Sequence, residues 1–212
     1  MEQHVIPACE TRVEMRVVNS RFIATAAPCF SVEEARAFID RIRGEFADAT
    51  HNVPAYLIGH GASVIAHCSD DGEPSGTAGP PALAVLRGSG LGDAAVVVTR
   101  YFGGTKLGTG GLVRAYSEAV REVLAVLPRA AKVPTHTVCI QIPYGLFEQI
   151  RRVVTLHQGE TLDEAFAGEV KMTIRLPQDR LPDLQGALQE LSRGRIEAEV
   201  IESSESTAMP LT

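Results

Sequence analysis

Apolar and polar positions alternate along residues 11–18 and 21–27, with Asn19-Ser20 between them, so the chain is expected to begin with two paired strands. Ser31-Val-Glu-Glu34 reads as a capping box, serine at the N-cap and glutamate three residues on. Val32, Ala35, Phe38, Ile39, Ile42 and Phe46 follow at helical spacing. The pattern then returns to strands, with a hairpin of 52–58 and 62–67 around Gly59-His-Gly61. After the Asp70–Gly79 loop, Pro80-Pro81 opens a short helix to about Leu86, since proline is tolerated in a first turn. Residues 94–99 form a β-branched run without polar alternation, the mark of a strand covered on both faces. Gly103 to Gly111 reads as loop. A long helix from about Gly110 to Leu127 would then bury Leu112, Val113, Tyr116, Val120, Val123, Leu124 and Leu127.

Pro128 to Pro134 holds two prolines and reads as a linker. Beyond it the expected order is strand 135–142, helix 144–157, strand 160–166, strand 169–176, helix 179–191 and strand 195–202, with Leu181, Leu184, Leu188 and Leu191 on one face of the last helix. That is βαββαβ, a ferredoxin-like order. The reading is therefore α+β in two domains, 1–132 and 133–205, with 206–212 as a flexible tail.

Charge narrows how a nucleic-acid partner could be held. The net charge is −6. Residues 1–132 carry 13 Lys+Arg against 14 Asp+Glu, and residues 133–212 carry 7 against 12. Proteins held to nucleic acid mainly by counterion release are basic overall, so any such contact here must be a local patch. Cys9, Cys29, Cys68 and Cys139 are scattered, without a CxxC pair, so free thiols are expected rather than disulfides or zinc. The first residues lack the apolar stretch of a signal peptide, and no apolar run approaches the ~18 residues of a membrane span. A cytoplasmic protein without membrane contact, metal or cofactor is the expectation.

The strongest chemical signal is Gly103-Gly104-Thr105-Lys106-Leu107-Gly108-Thr109-Gly110-Gly111, leading into the long helix. Backbone N–H groups and the helix dipole there favour an anion, and Arg100, Lys106 and Arg114 add charge in a stretch without acids from Val96 to Tyr116. One reading is a phosphate, nucleotide or nucleic-acid backbone site; the other is a turn needed only for tight packing. The loop matches neither GxxxxGK[ST] nor GxGxxG, so ATP hydrolysis is not implied. Asp70, Asp71 and Glu73 could hold a cation or act as acid and base, against a turn whose carboxylates bond backbone N–H groups or nearby cations. Ser75 and Thr77 lack a nucleophile elbow, and N-capping by Thr77 is the plainer reading. His51 could face the same cleft as a proton carrier. His67 has no metal-ligand spacing, and His4, His60, His136 and His157 carry no signal.

Ser69-Asp-Asp-Gly-Glu-Pro-Ser-Gly-Thr-Ala-Gly79 and Thr99-Arg-Tyr-Phe-Gly-Gly-Thr-Lys-Leu-Gly-Thr-Gly-Gly-Leu-Val-Arg-Ala-Tyr116 closely resemble the YigZ/IMPACT family, as do Ser20-Arg-Phe-Ile23 and Asp48-Ala-Thr-His-Asn52. The resemblance implies a first, Impact N-terminal domain with the left-handed β-α-β fold of elongation factor G domain IV (ribosomal protein domain 2-like). It implies a ferredoxin-like second domain similar to domain V of that factor. Eukaryotic members act in translational control by binding a partner of a stress kinase through a domain that these 212 residues do not contain. For bacterial members a nucleic-acid or ribosome contact is implied. Pro80 and Leu57 stand where the family commonly has cations, and Val53-Pro54 where it has cysteine and an aromatic residue.

The expected function is a translation-associated binding or regulatory protein that contacts RNA, the ribosome or a translation factor through the glycine loop. The alternative is an enzyme on a small phosphorylated substrate, with His51 or Glu73 as base. A purely structural adaptor is the third possibility.

Overall fold

A computed structural model describes residues 4–210. The chain is of mixed α+β type and divides into two compact units, Met1–Ala131 with Ala208–Thr212, and Lys132–Thr207.

In the first unit, the strands β2 (Thr11–Val17), β3 (Ser20–Pro28), β4 (His51–Ile58), β5 (Ile65–Cys68) and β6 (Ala94–Tyr101) form one sheet in the order β2-β3-β6-β4-β5. Every neighbouring pair is antiparallel. Central β6 is buried along almost its whole length, as its unbroken apolar run requires. Alternation sorts its side chains. Val96 and Val98 face a core built with α2 (Gly79–Gly88) and α3 (Gly108–Val126). Ala95 and Val97 face α1 (Val32–Glu45) on the other side. Ser31 caps α1 as expected, its hydroxyl accepting from the Glu34 N–H at 3.1 Å, while Glu34 accepts from the Phe30 N–H at 2.8 Å.

Several expectations shift here. A strand β1 (His4–Pro7) precedes the two that were read, and just past it the Ala8 N–H donates to the Pro128 carbonyl at 2.8 Å. Helix α3 begins at Gly108, so Thr109, Gly110 and Gly111 form its first turn rather than loop. Val113 is 38% exposed, because residues 112, 116, 120 and 123 already fill the inner face. Burial pushes the Cys29 thiol up to about 12, so it stays protonated in the core.

The second unit follows β7 (Arg129–Ile142), α4 (Phe147–Leu156), β8 (Glu160–Phe166), β9 (Val170–Pro177), α5 (Leu181–Ser192) and β10 (Ala198–Pro210). Strand order is β10-β7-β9-β8, with β7–β9 and β8–β9 antiparallel. Val138, Ile140, Met172 and Ile174 meet Ile150, Val154, Leu184 and Leu188 in a separate core. Leu191, expected on the inner face of α5, is 37% exposed; Ile196 just beyond the helix is buried instead.

The expected linker 128–134 is instead the start of β7. Proline fixes an extended-compatible backbone and biases the residue before it the same way, so its presence marked extended chain and not a break. The 206–212 tail is likewise strand through Pro210, with 211–212 outside the described residues. Polar side chains of β10 meet those of β7: Thr207 Oγ1 lies 2.9 Å from Thr135 Oγ1, and Ser203 Oγ 2.8 Å from His136 Nδ1.

Hydrogen exchange checks the reassigned strand. Backbone amides in the β7-paired part of Glu199–Thr207 should exchange far more slowly than those of a free tail. Exchange at unprotected rates from residue 206 onward would restore the flexible-tail reading.

Candidate functional site

Sheet register builds the site. Arg100 stands opposite Phe22 on β3 and opposite His51 on β4, so all three share the face covered by α2 and α3. At this end of the face the apolar row of β6 gives way to a guanidinium. Arg100 is only 4% exposed and must find a counter-charge inside the protein. It finds Glu73, whose Oε1 accepts from Arg100 Nη1 at 2.6 Å and from the Tyr116 hydroxyl at 2.7 Å. His51 Nε2 lies 3.8 Å from the same oxygen. Arg100 Nη2 also donates to Ser20 Oγ at 3.3 Å, and its plane lies over the rings of Phe22 and Phe102. Tyr116 is pushed well above the ordinary phenol value by burial, then by its bond to the Glu73 carboxylate.

His51 Nδ1 lies 2.7 Å from the Asp71 carbonyl oxygen. An oxygen acceptor there requires the proton on Nδ1, which leaves Nε2 toward Glu73. The Asp71 side chain accepts from Arg43 at 2.9 Å and from the Asn52 N–H at 2.7 Å. Asn52 in turn bonds the Phe46 carbonyl and the Thr99 hydroxyl.

Asp70 has a different task. Its Oδ1 accepts from the Ala78 and Gly79 N–H groups at 3.0 and 2.9 Å, and its Oδ2 from the Gly76 N–H at 2.8 Å. Burial pushes this carboxyl up, but the three backbone donors together outweigh it and hold it below its usual value. Asp70 thus serves the open start of α2. Thr77, read as the cap, does not cap: its hydroxyl donates back to the Pro74 carbonyl at 2.6 Å, and the cap position is Ala78. Ser75 is exposed on the loop surface. Among the described residues, no group of three or more His, Cys, Asp or Glu is placed to hold a metal.

The glycine loop has a fixed root and an open tip. At the root, the Phe102 N–H donates to Thr50 Oγ1 at 3.0 Å and the Gly103 N–H to Ser20 Oγ at 3.4 Å. A Cβ on Gly103 would fall 1.8 Å from the Asn19 carbonyl oxygen, so glycine is required there by packing alone. At the tip, Gly104 and Gly108 have positive φ, and side chains at 104, 108 and 110 would meet open space. Thr105 Oγ1 accepts from Asn19 Nδ2 at 3.3 Å. Helix α3 has no side-chain cap. Lys106 and Arg114 are exposed, and no hydrogen bond or ion pair among the described residues engages either.

Three of the sequence-read cations therefore divide. Lys106 and Arg114 stay outward; Arg100 is sequestered by Glu73 and cannot serve the loop as a free charge, because a buried guanidinium keeps its internal partner. Asp71 meets Arg43, not a loop cation. Sequence reading missed the polar roles of Tyr116, Ser20 and Asn52. Tyr116 was legible only as an aromatic on an apolar stripe. Ser20 and Asn52 sat in family motifs without a stated task. Leu57 is buried toward the opposite end of β4, opposite Ala94, so its apolar character takes no charge from the loop.

The Impact N-terminal domain matches residues 18–124, and a domain of unknown function, DUF1949, matches 140–195. IMPACT family member YigZ of Escherichia coli is 37% identical over 203 residues, covering 95% of this chain and 100% of that protein. An IMPACT family member of Haemophilus influenzae is 34% identical over 206 residues, covering 97% of this chain and 100% of that protein. A crystal structure described as that of a hypothetical protein superposes with a TM-score of 0.60 at 36% identity, over 95% of this chain and 98% of that one. The chain belongs to the IMPACT family.

Two stability predictions test the site's wiring. Glu73→Ala strands a buried guanidinium and should lower unfolding free energy by about 3–5 kcal/mol, whereas Tyr116→Phe, which leaves that ion pair intact, should cost about 1–3 kcal/mol. Urea denaturation checks both, and a Glu73→Ala loss no larger than that of a surface change would contradict the pairing. Asp70→Ala should cost about 1–2 kcal/mol at neutral pH. Because the folded Asp70 value lies below the unfolded one, its contribution is present above the ordinary carboxylate range and is lost as pH falls through the depressed value. The gap in urea midpoint between wild type and Asp70→Ala should therefore close in strong acid.

Proposed function

We propose that this chain is a translation-associated binding and regulatory protein whose contact surface is the tip of the glycine loop. The observation that carries the reading is the pairing of two exposed, unengaged cations, Lys106 and Arg114, with the uncapped start of a 19-residue helix. First-turn N–H groups and the helix dipole add to those charges, and open glycines let a phosphate approach the backbone. The partner is phosphate-bearing, RNA or a ribosomal surface in the cytoplasm. Overall acidity confines the contact to this patch.

Membership of the IMPACT family supports a role in translational control, in keeping with the resemblance of its motifs. The finer fold reading belongs to the same proposal. Strands β3 and β4, joined through α1, flank β6 and run parallel to each other, which suits the β-α-β unit of elongation factor G domain IV. The order β10-β7-β9-β8 is first strand between fourth and third, with the second outside, which suits a ferredoxin-like second domain. Catalysis by Glu73 is disfavoured. Its oxygen already accepts from Arg100 and Tyr116, and a base there would have to surrender both bonds.

Sedimentation of cell lysate through sucrose at low and moderate salt tests the contact. Wild type should travel with ribosomes at low salt and lose them as salt rises. Lys106→Ala/Arg114→Ala should stay at the top with an unchanged urea midpoint. In RNA titrations the slope of log affinity against log salt should fall by about 1.4–1.8 for two lost phosphate contacts. A double variant that sediments like wild type would remove the loop from the interface.

A further inference from the structure

The opposite end of the first unit's sheet holds a second feature, independent of the reading above. By register, His51 and Arg100 mark one end of the β4–β6 pair, and Leu57 and Ala94 mark the other. At that other end lies a cavity of about 560 Å³, within the size range of small-molecule sites. Among the described residues that line it, His4, His60 and Arg87 carry basic side chains and none carries a carboxylate. Val5, Leu57, Val64 and Leu91 supply an apolar wall.

The basic side is held in place from behind. Asp93 is buried at 3% exposure in a left-handed conformation, φ +46°. Its carbonyl accepts from the Cys29 N–H at 2.8 Å and its Oδ1 from the Gly59 N–H at 2.8 Å, so it anchors the turn that carries His60. Its Oδ2 lies 3.6 Å from His60 Nε2. Strain of this kind persists only where the surroundings over-determine it. The His60 ring lies against the chain at Gly92, where a Cβ would come within 2.1 Å of Nδ1. The His4 ring lies tilted against His60, with centroids 4.5 Å apart and planes at 43°. Arg87, in the last turn of α2, is exposed, and no ion pair among the described residues neutralises it. The two imidazoles are tilted against each other, and among the described residues no group of three or more His, Cys, Asp or Glu is placed here to hold a metal.

We propose that this cavity binds a small molecule with one anionic head group, carboxylate or phosphate, on an apolar body. The head meets Arg87 and the exposed His4 imidazole, and the body lies against Leu57, Val64 and Leu91. A guanidinium bonded to an anion inside a partly apolar cavity is a strong, orienting contact.

The test is an NMR titration of the 15N-labelled full chain with phenyl phosphate and, separately, benzoate, followed at the Gly59, Gly61, Gly90 and Gly92 amides. Saturable shifts at these glycines with at least one probe are expected; which probe binds more tightly identifies the head group. Phenol, which lacks the charged head, should bind about tenfold more weakly or worse. Arg87→Ala should weaken the better probe by about tenfold or more while the urea midpoint holds, since Arg87 is exposed. The proposal is overturned if the four amides show no saturable shift, if Arg87→Ala binds like wild type, or if shifts are confined to Gly104, Gly108 and Gly110. That last pattern would place the anion at the glycine loop instead.

Discussion

Glu73 keeps its carboxylate 3% exposed, and a charge at that depth costs several kcal/mol unless a cation and hydrogen bonds meet it. The partners that meet it come from different parts of the chain. Arg100 is on β6, Tyr116 on α3 and His51 at the start of β4, while Glu73 itself sits on the loop after β5. None of these contacts forms unless strand, helix and loop arrive together. The carboxylate thus ties the long acidic loop down over the sheet and, through Tyr116, to the body of α3. Asp70 and Asp71 extend the same arrangement, one on the N–H groups that open α2 and the other on Arg43 and the Asn52 backbone.

One consequence is a division of charge by direction. Inward cations are matched internally: Arg100 by Glu73, and half-exposed Arg43 by Asp71. Outward cations at the loop tip are not matched, and they sit where Gly104, Gly108 and Gly110 leave the backbone uncovered. The root of that loop is held by Thr50, Ser20 and Asn19. A fixed base beneath an open, cationic tip is what preorganised contact with a phosphate requires, because little ordering remains to be done on binding. The far end of the same sheet carries its own basic lining around His4, His60 and Arg87. One antiparallel sheet therefore presents chemically distinct ends separated by the length of its strands.

Much of the fold could be read from periodicity. The β-branched run of β6, the capping box of α1 and the apolar stripe of α3 each satisfy a local rule with one dominant solution. The misreadings have local causes as well. Prolines at 128 and 134 looked like a break because proline is common both in linkers and in extended chain. Residues 206–212 looked frayed because the chain enters them through an all-polar run, 203–207, with no apolar alternation to betray a strand.

The alternation of strands and helices, the acidic balance and the clustering of glycine with Lys106 and Arg114 follow from composition and spacing along the chain. Spacing could place Asp70, Asp71, Glu73, His51 and Arg100 in one region but not assign them partners. Register decided that: with Arg100 opposite His51 and Phe22, its guanidinium turns inward to Glu73 and away from the loop. Likewise nothing along the chain joins His4, His60 and Arg87, which are brought to one cavity only by the folding of β1, the β4–β5 turn and the end of α2. Spacing within a segment is a property of covalent geometry. Which charges meet across segments depends on long-range pairing and burial, and only the tertiary structure settles it.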